Sequence, residues 1–233
     1  MKIVHLITIA LLIESNILFS QVLYQLETES IQVNSPFAIQ EEEEIAFITN
    51  KNESNAQENE ISEQSILVYE KNLPKNNNYI LYAKIRVKYP DRALYIAKGF
   101  GKKSSKLEDW YKIVDIDEIG YTKKNDLVKA GRDAGLNEWK WINISAIIKQ
   151  DSAFHLHFSE DTTENLFNIA INSKGIEIDK FIFDKGNDFK SVSSLELMDR
   201  VPTLSKAIAR KSKKFFGCIY SEGQTEGFER YWN

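Results

Sequence analysis

The feature that most constrains this chain is the alternating hydrophobicity between Asn137 and Asp184. Phe154, Leu156 and Phe158 alternate with Ala153, His155, His157 and Ser159. That period of two gives a strand one buried and one wet face. Further on, Ile176 to Phe183 reads as a second strand. It carries Asp179 among apolar neighbours, at the same parity as Phe181 and Phe183. Trp139 and Trp141, one residue apart, open the stretch and are expected to face the same way. Upstream, Tyr79 to Lys88 is the clearest central strand, with Tyr79, Leu81, Ala83, Ile85 and Val87 in alternation. Val22–Val33, Ile66–Tyr69, Ala93–Ala97 and Trp110–Ile116 read as further strands. Polar segments separate them, including a long exposed loop over Asn50–Ser65 and another over Gly120–Leu136. Short strands at short intervals, with little helical periodicity, predict an all-β sandwich.

The chain has 233 residues, 42% of them hydrophobic and 12% aromatic, enough for a packed core with segments to spare. Its 30 basic and 34 acidic residues leave a net charge of −4. There is no basic footprint for nucleic acid and no polybasic segment for a membrane surface. Residues 1–20 read as a signal peptide: Lys2, an apolar run from Ile3 to Ile13, and small Ser20 before Gln21. Glu14 and Asn16 interrupt the run short of the roughly 18–20 residues that a span needs. Export to the periplasm, cell surface or medium is therefore expected. The single cysteine, Cys218, excludes an intrachain disulfide, so stability must come from the core or a bound ion.

A Trp-x-Trp strand, an alternating strand, a polar break and a closing strand reading Ile178-Asp-Lys-Phe-Ile182 follow one another here. This order resembles the C-terminal half of carbohydrate-binding modules of the family 6 and 35 type. The resemblance implies a galactose-binding-like jelly roll over residues 21–195, non-catalytic and monomeric, with its glycan cleft at a loop edge. The tail differs in character. Val201 to Lys214 looks helical, and Lys214-Phe-Phe-Gly-Cys-Ile-Tyr-Ser221 is followed by Gly227-Phe-Glu-Arg-Tyr-Trp-Asn233. It resembles the entry to the catalytic barrel of family 10 xylanases, which implies a short α/β tail over 196–233 from an incomplete TIM barrel. Such a barrel needs about 250 residues, and neither catalytic glutamate of that family has a counterpart here. The chain is accordingly expected to be the front of a longer endo-1,4-β-xylanase.

Sugars stack their C–H faces on aromatic rings and present hydroxyls to polar side chains. Trp139, nearer the loop, is the expected platform, with Trp141 and Trp110 as alternatives and Asn172 and Glu177 as hydroxyl partners. Each tryptophan has a plain alternative as a core aromatic. Glu27 and Glu29, read as one strand face about 7 Å apart, repel unless solvated or bridged. By the same resemblance they would share a structural calcium with Asp179, the alternative being exposed glutamates and a locally bonded aspartate. His155 and His157 lack an identifiable third ligand and read as a solvent-facing strand. Asp115, Asp117 and Glu118 read as loop charges rather than a glycosidase pair. The function expected from all this is a targeting module for plant cell-wall polysaccharide, xylan in particular. Its rivals are a xylanase fragment and a structural sandwich without a glycan site.

Overall fold

A computed structural model describes residues 23–31, 33–52, 61–70, 73, 78–101, 103–131, 134–148, 156–157 and 166–197. Residues 1–22 and 198–233, with Phe154, His155 and Phe158, lie outside the described residues. The chain divides into two units, Met1–Ser193 and Ser194–Asn233, and every described strand belongs to the first.

The described residues are mostly strands, in two antiparallel sheets. Strands β1 (Leu23–Glu27), β2 (Phe37–Glu42), β3 (Ile45–Asn50), β5 (Asn78–Val87), β8 (Lys140–Asn143), β9 (Leu156–His157) and β11 (Ile176–Asp184) make the larger sheet. Strands β4 (Ile66–Glu70), β6 (Leu94–Ala97), β7 (Trp110–Ile113) and β10 (Leu166–Ile171) make the smaller, in the order β4-β10-β6-β7. Two short α-helices, α1 (Ile144–Ile148) and α2 (Val192–Leu197), and three 3-10 turns, Thr28–Ser30, Glu63–Ser65 and Leu107–Asp109, complete the described elements.

The expected alternation of β5 holds. Tyr79, Leu81, Ala83, Ile85 and Val87 enter the core, as do Ile176, Ile178, Phe181 and Phe183 of β11. From the smaller sheet come Leu67, Tyr69, Leu94, Ile96, Phe167, Ile169 and Ile171. Phe167 lies at the centre, with ring centroids 5.3 Å from Phe181 and 5.1 Å from Phe183, both edge to face.

One deviation sets the chemistry of the outer face. The pairing of β11 with β5 shifts register between Ile178 and Lys180, a β-bulge at Asp179. The Thr28 hydroxyl sits on it, 2.6 Å from the Ile178 carbonyl and 2.7 Å from that of Asp179. Because of the extra residue, Ile178 and Phe181 face the core although they are an odd number apart. The parity reading that set Asp179 beside Phe181 is thereby corrected. Asp179 turns to the outer face and meets lysines.

The β2–β3 hairpin and β10 are not anticipated by the sequence pattern, in which Glu41–Glu44 reads as a solvated loop. Glu42 pairs with Ile45, so only Glu43 and Glu44 form the turn, at φ 50° and 70°. Two left-handed residues match the twist of a two-residue hairpin, a place that favours Asn-Gly over glutamates. Glu43→Asn combined with Glu44→Gly is expected to raise stability by about 1–2 kcal/mol, read from urea unfolding. No gain would show that the turn carries no such strain.

Candidate functional site

The outer face of the larger sheet holds charge where most sandwiches hold solvent. Glu27 of β1, Glu42 of β2, Lys84 and Arg86 of β5, and Glu177, Asp179 and Lys180 of β11 all project there. Arg86 is the hub. Its Nε lies 2.5 Å from Glu177 Oε2 and its terminal nitrogen 2.5 Å from Glu42 Oε2. Lys88 Nζ takes the other Glu177 oxygen at 2.6 Å. The hydrogen bond from Arg86, and then its charge, hold the Glu42 carboxyl below the usual carboxylate range. Desolvation works against the Arg86 guanidinium, but the two glutamates outweigh it and its pKa is raised. The guanidinium carbon also lies 4.8 Å from the Trp139 ring centre and 5.4 Å from that of Phe47, within cation–π range. Trp139 and Phe47 meet edge to face at 5.5 Å.

Further along the same face, Lys84 Nζ lies 3.1 Å from Asp179 Oδ2. Lys180 Nζ stands 3.5 Å from Asp179 Oδ1 and 3.5 Å from Glu27 Oε2. This geometry bears directly on calcium. Glu27 and Asp179 do approach each other, but ammonium groups lie between and beside their carboxylates. Glu29 does not join them. Strand β1 ends at Glu27, and Thr28–Ser30 turns as a single 3-10 turn. There the Glu29 charge adds to burial in pushing up the pKa of the core residue Tyr69. The expectation of one strand face for Glu27 and Glu29 is therefore corrected, because the chain leaves extended geometry between them. Among the described residues no three acidic, His or Cys side chains converge as a metal site. The three acids do not fit a calcium ion.

At the end of this face a cleft of about 360 Å³ opens between the ends of β3, β5 and β11. Gln40, Thr49, Glu177 and the exposed Tyr89 line it, with Lys51, Lys88 and Lys174 among the others. The ring of Tyr89 rests on the β10–β11 turn, where Gly175 has φ +99° and a Cβ would fall 2.4 Å from Tyr89 Cδ2. Arg92 sits by the same ring at 5.6 Å. Asn50, also in the lining, ties the cleft to its turn: its Nδ2 donates to the Ile171 carbonyl and its Oδ1 accepts from Asn52 N–H.

Of the residues singled out from the sequence, the structure brings Glu177 into this cleft and sets Trp139 beside it across Arg86. Asn172 lies half-buried in the adjoining turn. Trp110 is elsewhere, on the outer side of the smaller sheet. It is 4% exposed in a satellite cluster with Ile61, Tyr95, Ala97 and Ala170, its indole N–H donating to the Ser104 carbonyl at 2.9 Å. Trp141 lies opposite Lys84 in the β5–β8 pairing and is 1% exposed. Neither ring offers a face to a ligand, so the sugar-platform alternatives at Trp110 and Trp141 give way to the core reading. Sequence reasoning misses Tyr89, Thr49 and Gln40. The one local signal is Tyr89-Pro90, an aromatic at the start of a turn.

A larger groove of about 540 Å³ runs along β7 and reaches α1. Its walls are largely aliphatic, Ile113, Val114, Ile119, Ile147 and Ile148, with Tyr111 as its aromatic. It offers sugar hydroxyls few partners beyond Lys112 and Asp115. The chain matches no family model, and no curated protein matches it.

Proposed function

We propose that the sandwich is a non-catalytic carbohydrate-binding module of the jelly-roll, galactose-binding-like type. It would hold a cell-wall hydrolase on its polysaccharide, xylan in the first instance, and so raise the local enzyme concentration there. In this reading residues 1–20 direct export, and residues 196–233 begin a family 10-like xylanase domain. The observation that carries it is the cleft of Tyr89, Thr49 and Gln40. An exposed ring there stands beside hydroxyl and amide groups, the two things a pyranose needs. Trp139, half-buried beside Arg86, would add a second aromatic surface outside the cleft lining.

Affinity electrophoresis in xylan tests this. Wild-type protein is expected to be retarded, and Tyr89→Ala and Trp139→Ala each to weaken binding about tenfold, equivalent to ~1.4 kcal/mol. Tyr89 is 40% exposed, so its variant is expected to melt as the wild type does. Unchanged retardation in both variants, with folding intact, would remove the site. The rival reading of a structural sandwich without a glycan site draws on the burial of Trp110 and Trp141. Absence of retardation on any β-glycan would favour it.

A further inference from the structure

We propose that Lys140 is a clasp that joins the two loop walls of the groove beside β7, so that they open and close as one unit. This goes beyond the glycan reading and is independent of it. The groove, of about 540 Å³, takes its walls from four places in the chain. Ile113 belongs to β7, Ile119 to the turn after it, Gly131 to the segment that leads to β8, and Ile148 to α1. Lys140 reaches three of the four. Its Nζ donates to the Asp117 carbonyl at 2.9 Å, inside the turn, and to the Ala134 and Gly135 carbonyls at 3.1 Å, in the segment of Gly131. Its own main chain opens β8, which runs directly into α1.

The ends of the two loops are fixed separately. Tyr121 N–H donates to the Trp141 carbonyl at 2.9 Å and Trp141 N–H to the Tyr121 carbonyl at 3.0 Å. Val128 N–H donates to the Lys190 carbonyl at 2.9 Å, and Asn137 N–H to the Val87 carbonyl at 2.8 Å. Between these anchors one nitrogen holds both loops, so neither is released without loosening the other. Carbonyl oxygens that lose a buried donor must find water, so the released state is an open one. Gly120 lies against the Lys140 stem, where a Cβ would come within 2.6 Å of Cδ, and gives the side chain its track. Charge then sets the direction of the response to pH. In the closed state Lys140 is 1% exposed, and burial lowers its pKa to about 8 against the opposing pull of Asp117 and Glu138. Ile85, opposite it on β5, Gly120, Ala134 and Gly135 bring no charge. In the open state the amine is hydrated and returns toward 10.5. Opening therefore takes up a proton between about pH 8 and 10.5, and rising pH holds the walls together.

Native-state hydrogen exchange of the full chain between pH 8 and 10 tests this. Ile119 N–H, bonded to the Asp115 carbonyl at 3.0 Å, reports the turn, and Asn137 N–H reports the other loop. Both are expected to give one opening constant, larger than that of the core amides of β5 and β11. It is expected to fall by up to about tenfold per pH unit. Their exchange then stays nearly level, while that of unlinked amides speeds with hydroxide. In Lys140→Met the two amides are expected to open more often at pH 8 and to lose this pH dependence. Opening constants that differ between Ile119 and Asn137 would show two independent loops and overturn the proposal. So would exchange of both through the opening that frees the β11 core, which is global unfolding, or a wild-type opening constant indifferent to pH. These three outcomes are read from the wild type alone and stand whether or not the variant folds. A falling constant that survives in Lys140→Met also overturns the proposal, since the proton would belong to another group.

Discussion

Arg86→Ala is expected to lower the unfolding free energy by about 3–5 kcal/mol, the range for breaking a buried ion pair from one side. Arg86 is 8% exposed and Glu177 is 2% exposed. Removing the guanidinium takes the partner from one Glu177 oxygen and leaves a buried carboxylate held only by Lys88. It also removes the cation that lies beside both Trp139 and Phe47. Glu42 contributes little to the loss, because its side chain is 52% exposed and water can replace its partner. Arg86→Lys restores a charge but not two nitrogens in a fixed fork, so it is expected to recover part of the loss. Urea unfolding followed by tryptophan fluorescence measures both. The indole emission of the folded alanine variant is expected to change as well, since Trp139 loses its stacked cation. A stability within about 1 kcal/mol of wild type would mean that the outer-face network is ornamental.

Lys140→Met is the second large effect, and it has a distinctive pH dependence. Lys140 is 1% exposed. Its Nζ donates to the carbonyls of Asp117 at 2.9 Å, Ala134 at 3.1 Å and Gly135 at 3.1 Å, gathering one loop on each side of it. The stem of the side chain lies against Gly120, where φ is +145° and a Cβ would come within 2.6 Å of Lys140 Cδ. Methionine fills similar space but donates nothing, so the carbonyls lose their donor. A cost of about 2–4 kcal/mol at neutral pH is expected.

Burial lowers the Lys140 pKa from 10.5 to about 8, with Asp117 and Glu138 acting weakly in the opposite direction. Below about pH 8 the ammonium is charged in both folded and unfolded chains. Between about 8 and 10.5 the unfolded chain holds a proton that the folded chain has released. Stability from this group therefore rises with pH across that window, by on the order of 1 kcal/mol per unit. The gap between wild type and Lys140→Met should widen there. A gap that shrinks from pH 8 to 10 would show the folded-state pKa to be raised instead.

Strands with full-length alternation are legible from the residues alone. The pattern over Tyr79–Lys88 becomes β5 over Asn78–Val87, and that over Ile176–Phe183 becomes β11 over Ile176–Asp184. Period-two patterning is local, and both strands have one face in the common core, so sequence and burial agree. The pattern of β7 runs on to Ile116, but the strand ends at Ile113, and Asp115 turns the chain with φ 56°.

The site is less legible. Trp139 and Glu177 stand out in the sequence as partners for sugar, and nothing there points to their joint attachment to Arg86. Glu42, Arg86 and Glu177 are far apart in sequence, and no spacing rule connects them. Only the order β2-β3-β11-β5 gathers them in one sheet, with Glu177 and Arg86 on neighbouring strands. The Asp179 bulge is invisible for a related reason, since an added residue is apparent only against the strand it pairs with. Glu27 and Glu29 keep strand spacing in the sequence, yet a 3-10 turn separates them. What the sequence determined is therefore the strands with full-length alternation, β5 and β11, and which of their residues want to leave water, because those are properties of short windows. What the tertiary structure decided is which charges meet, since an ion pair forms wherever register places two side chains within 4 Å, and register belongs to strand pairs.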